Sequence, residues 1–231
     1  MRAFRSTNPV FRSVRTDTYA SDQPVTYANV TYKTIFLIAL VALSALGIVY
    51  YGQVTIGMLI GAVIVGFISV IVGTISVRLS PYASIVYALA EGVILGVVSA
   101  LYASVYEGIV PTALLTTFMV LLLMMVLYST RIIKVTQRFA SIMVIALLSL
   151  IFMSVINIFL GFSSSFFYVI VILSAVLSAF FLLLDFRNIE YSVEAGIDQR
   201  YGWILALGLL VTIVWVYIEM LRLLAIFSRR N

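Results

Sequence analysis

Residues 201–227 read YGWILALGLLVTIVWVYIEMLRLLAIF, and this stretch decides the fold. Its 27 residues are more than the roughly 17–25 an α-helix needs to cross about 30 Å of hydrocarbon. Gly208, Thr212, Trp215, Glu219 and Arg222 follow one another at intervals of four, three, four and three. That spacing places all five on one face of a helix. A lipid-facing helix does not display Glu219 and Arg222, so the stripe points into protein. The helix is therefore expected to be central, wrapped by others.

Working outward, six further apolar segments lie at approximately 34–51, 56–77, 82–105, 110–128, 139–160 and 164–184. None alternates as a lipid-facing barrel strand must. The expected fold class is an all-α integral membrane protein with seven transmembrane helices. Composition points the same way: the 231 residues are 64% hydrophobic and 10% charged. Soluble domains run about 45–50% apolar and about 25% charged, so this chain lacks the polar residues to cover a soluble core. Residues 1–33 read as a basic cytoplasmic tail and 34–231 as the transmembrane domain. The tail holds Arg2, Arg5, Arg12, Arg15 and Lys33 among Ser, Thr, Tyr, Asn and Pro, without the apolar core of a secretory signal.

Lys and Arg set the orientation. With the tail inside, Arg78, Arg131, Lys134, Arg138, Arg187 and Arg200 join it on the cytoplasmic side, while 52–55, 106–109 and 161–163 carry none. Seven spans leave Arg229 and Arg230 outside as an exception, which a re-entrant last segment would remove. The first six segments could divide into inverted halves of three. The net charge of +5 would also suit a nucleic-acid partner. The basic residues flank apolar segments rather than forming a stripe, so the bilayer is the expected partner and nucleic acid is not.

Missing residue types narrow the chemistry. There is no His and no Cys, which removes imidazole relays, Ser-His triads, thiol catalysis and thiolate metal sites. Neither Lys33 nor Lys134 lies inside an apolar run, so a buried Schiff base or a Ser-Lys pair has no candidate. An enzyme is not expected, nor is a cofactor.

Ionisable groups at membrane depth cost several kcal/mol unless paired or hydrated, which makes them functional candidates. Four stand out: Arg78, Glu91, Asp185 and Glu219. Asp185 follows Leu182-Leu183-Leu184 and is expected at the C-terminus of the sixth helix, where the macrodipole disfavours a carboxylate. Arg78 lies at the same expected depth. Glu91, roughly ten residues into its segment, falls near the midplane, and Glu219 falls in the outer half. Carboxylates at successive depths suit a proton relay or a cation path, with Asp185 and Glu91 as candidate metal ligands. Each also has a plainer reading: a solvated loop start for Asp185, a hydrogen-bonded helix contact for Glu91, an internal ion pair with Arg222 for Glu219.

Several stretches resemble the Bax inhibitor-1 family in its bacterial branch. They are Ser6-Thr7-Asn8-Pro9-Val10, Tyr87-Ala88-Leu89-Ala90-Glu91-Gly92, Leu184-Asp185-Phe186 with Ile189-Glu190, Val193-Glu194-Ala195-Gly196, and Glu219-Met220-Leu221-Arg222-Leu223-Leu224. The resemblance implies a last helix at the centre of two three-helix layers, in a bacterial cell membrane. It also implies a pH-sensitive calcium leak, in which an acid closing the sixth helix pairs with a second Asp in the seventh, near an Arg of the second. Asp185 and Arg78 match two of those positions. Counting back from Leu221-Arg222, the third falls at Thr212, which cannot titrate.

The leading expectation is thus a pH-sensitive calcium or cation leak channel, or a proton-coupled transporter, with Asp185, Arg78, Glu91, Glu219, Thr212 and Arg222 along its gate and path. The alternative is a regulatory protein whose basic tail binds a membrane protease or another membrane complex.

Overall fold

A computed structural model describes residues 23–52, 54–160 and 164–228. Most of the basic tail, and Arg229 and Arg230, lie outside the described residues. Seven helices follow one another: α1 (Tyr27–Tyr51), α2 (Ile56–Ile75), α3 (Ser80–Ala103), α4 (Ile109–Ser129), α5 (Gln137–Leu160), α6 (Ser164–Glu194) and α7 (Gly202–Ser228). A short 3₁₀ turn, Gln199–Tyr201, precedes α7. All seven helices are long and apolar enough to cross a membrane, so the chain is a multi-pass helical membrane protein. Among the described residues there is no strand, only an isolated bridge between Pro24 and Asp198.

Two elements outrun the apolar segments that announced them. Helix α1 begins at Tyr27, seven residues before the expected onset at 34. Its start is capped: the Thr26 hydroxyl accepts from the Asn29 N–H at 3.1 Å. The preceding residues are tied down, with the Val25 N–H donating to the Ile197 carbonyl at 2.7 Å and Val25 buried. Helix α6 runs ten residues past the expected end at Leu184, to Glu194. Its apolar run stops, but Ile189 and Ser192 continue the buried face at helical spacing from Asp185. The helix ends only at Gly196, which takes a left-handed backbone with φ 62°.

Helix α7 packs against α1, α2, α3, α4 and α6, and half of its apolar window is buried, the largest share of any span. It is one unbroken helix of 27 residues, so its backbone gives a re-entrant turn no support. The other six sort by contact into α1–α3 and α4–α6, with α5 packed chiefly on α6. Lipid offers no hydrophobic drive between helices, so close approach has to come from small residues. Helix α2 buries Ala62, Gly66, Ser69 and Gly73, a stripe of small side chains. A Cβ on Gly92 of α3 would sit 2.6 Å from the Val41 carbonyl oxygen of α1. The α1–α3 contact is made backbone to backbone, and the Ser44 hydroxyl donates across it to the Leu89 carbonyl at 2.9 Å.

Candidate functional site

The inward stripe of α7 meets a matching stripe on α6. Ser174, Ser178, Phe181 and Asp185 recur at intervals of four, three and four, and the two helices run antiparallel. Their seam holds one carboxyl group towards each end.

At the end nearer the basic loops, Asp185 lies beside Thr212, and its Oδ2 is buried with no hydrogen-bond partner. Asp185 makes no ion pair among the described residues. Gly208 makes room for it: a Cβ there would lie 3.9 Å from Oδ1, so a larger side chain would press on the carboxyl. The Thr212 hydroxyl also reaches the Gly208 carbonyl at 3.3 Å. It has one proton for two acceptors. An ionised Asp185 takes that proton; a protonated Asp185 can donate to Thr212 and release the hydroxyl to Gly208.

At the other end Glu219 is 1% exposed. Its Oε1 accepts from the Ser174 hydroxyl at 2.7 Å, the Arg222 guanidinium at 3.0 Å and the Trp215 indole N–H at 3.2 Å. Oε2 is buried and unpartnered. Between the two carboxyls the Phe181 and Trp215 rings meet at a tilt, their centres 5.5 Å apart. Seven residues of α7 separate Thr212 from Glu219, about 10 Å of axial rise.

A family model for Bax inhibitor 1 like proteins matches residues 8–229. The chain belongs to the Bax inhibitor-1-like family. No curated protein matches it individually.

With that family assigned, the counted position of the second acid acquires a location. Thr212 faces Asp185, so the site at which the Bax inhibitor-1 resemblance implies a pair of acids holds one carboxyl and one hydroxyl here. The macrodipole reading of Asp185 is corrected: the residue lies nine positions inside α6, away from the helix end. Arg78 does not complete the site. It is exposed and lines a cleft with Lys33 and Arg200, at the level where α7 begins, whereas Thr212 is ten residues along α7, about 15 Å deeper. Glu91 is half-buried on α3, one turn from Tyr87, and no hydrogen bond joins it to the α6–α7 seam among the described residues. Among the described residues no three acids gather in one place. Glu219 and Arg222 do form the internal pair that their spacing allowed.

Ser174 and Ser178 were not singled out by sequence reasoning, although both are buried on the seam. Their signal was available as the same four-three-four spacing seen in α7. A second cluster was also missed: Glu190 of α6 accepts from the Tyr128 hydroxyl and pairs with Arg131 at 2.5 Å, latching α4 to α6.

Proposed function

We propose that this protein is a pH-sensitive cation leak whose gate is the α6–α7 seam and whose proton switch is Asp185. The observation that carries the reading is the half-buried Asp185, set beside the neutral Thr212, with Oδ2 buried and unpartnered and no ion pair among the described residues. Such a group can change protonation without breaking an ion pair. Each state has its own hydrogen-bond arrangement through Thr212 to Gly208, which biases the position of α7 against α6. Family membership, with its association with calcium leak, supports calcium as the first ion to test. In this reading the chain is not an enzyme, and its N-terminus faces the cytoplasm of a bacterial cell.

The test is calcium influx into dye-loaded liposomes between about pH 5 and about pH 8, a range in which an ordinary exposed carboxyl does not titrate. Wild-type flux should vary with pH. Asp185→Asn, a permanent neutral mimic, should hold flux at the wild type's acid value throughout. Flux that requires an opposing proton gradient would assign coupled exchange instead of a leak. A flat baseline in folded protein would sink the reading and favour the regulatory alternative.

A further inference from the structure

The basic end of the bundle carries a cleft of about 550 Å³ lined by Asn29, Lys33, Arg78, Tyr82, Arg200 and Trp203, among others. These side chains come from α1, the α2–α3 turn, α3, the 3₁₀ turn and α7, so five pieces of chain bring three cations to one place. Lys33 is fixed there: its Nζ donates to Asn29 Oδ1 at 2.7 Å and to the Gln199 carbonyl at 2.8 Å, and lies 5.2 Å from the Trp203 ring centre. Arg78 and Arg200 are exposed, and neither guanidinium makes an ion pair among the described residues. One acid stands nearby. Asp198 is within electrostatic reach of Lys33 and accepts from the Arg200 backbone N–H at 2.8 Å.

We propose that this cleft binds the phosphate headgroup of an anionic phospholipid. Loops that merely obey a cytoplasmic bias can spread their charges apart, whereas here three cations converge on one cleft with the Asp198 carboxylate in reach of Lys33, so their remaining repulsion favours a further anion among them. Basic pockets between membrane helices recognise lipid headgroups in this way. The surroundings favour a lipid over a soluble anion. Trp203 stacks edge-on with the exposed Phe36 at 6.3 Å, and Tyr82 is 71% exposed, an aromatic set of the kind that marks the membrane–water interface. Exposed Ile75 and Leu79 flank Arg78 in the chain, offering apolar surface to acyl chains beside the charged site.

The test is native mass spectrometry of the full chain released from phosphatidylcholine vesicles containing a minority of phosphatidylglycerol. Wild type should retain phosphatidylglycerol in preference. Arg78→Gln with Arg200→Gln should weaken that preference about 25-fold, about fivefold for each basic residue near the surface. Lys134→Gln with Arg138→Gln removes the same charge from the other exposed basic loop and should leave retention unchanged. Equal losses in both double variants would overturn the site in favour of a general surface effect, and undiminished retention in the first would overturn it outright. Displacement of the lipid by inorganic phosphate in solution would reassign the cleft to a soluble anion and overturn the lipid assignment.

Discussion

The two carboxyl groups of the α6–α7 seam sit on the same pair of helices, yet their surroundings differ in kind. Glu219 gathers three donors on one oxygen, among them the positive charge of Arg222. Asp185 has Thr212 and no ion-pair partner among the described residues. A buried carboxylate held by a half-exposed cation and neutral donors is a structural tie, since losing the cation strands the carboxylate. A half-buried acid beside one hydroxyl is free to exchange its proton, because no partner is stranded when it does. The contrast assigns holding to one end of the seam and switching to the other.

Arg222→Leu tests the holding end most severely. It leaves Glu219 buried beside neutral donors alone and should cost about 3 kcal/mol, read as a fall in thermal midpoint in detergent. A variant as stable as wild type would erase the distinction between the ends. Next in size is Gly208→Val, which drives methyl groups towards Asp185 Oδ1 and should cost about 2 kcal/mol, whereas Gly208→Ala should be accommodated at ordinary contact distance. Equal stability for both would mean that Asp185 does not lie against α7. Thr212→Val removes the hydroxyl while keeping the shape and should cost about 1 kcal/mol. Thr212→Ser should restore both stability and the pH response of flux, so failure of the serine to rescue would separate the hydroxyl from the switch. The smallest change in stability is expected for Asp185→Asn, under about 1 kcal/mol, because the amide can still bond Thr212. That variant nonetheless should abolish pH dependence; a large loss of stability in it would place Asp185 with Glu219 as a structural tie.

Much of this was legible in the chain. The stripe from Gly208 to Arg222 foretold the central place of α7 and left the pairing of Glu219 with Arg222 open as the plainer reading. The extent of α6 was not legible from its apolar run, since beyond Leu184 the helix is held by one buried face, carrying Ile189 and Ser192, under otherwise polar residues. Arg78 was expected beside Asp185 because both follow apolar runs at the same end. Reading depth from run length misplaced Asp185, and nothing in a run length tells which way around the bundle a side chain faces. Ser174 and Ser178 escaped notice because small hydroxyl residues in an apolar segment look the same whether they pack or donate.

The sequence by itself determined the solvent of this protein, its seven crossings and the inward face of the last one. Transfer of side chains from water to lipid is a local, additive cost that can be read residue by residue. Only the tertiary structure decided that Thr212 meets Asp185, that Ser174 and Trp215 meet Glu219, and that Arg78 joins Lys33 and Arg200. Those meetings depend on the rotation and sliding of each helix against its neighbours, set by the close glycine contacts of α1 with α3 and the small-residue stripe of α2. No single segment contains that information.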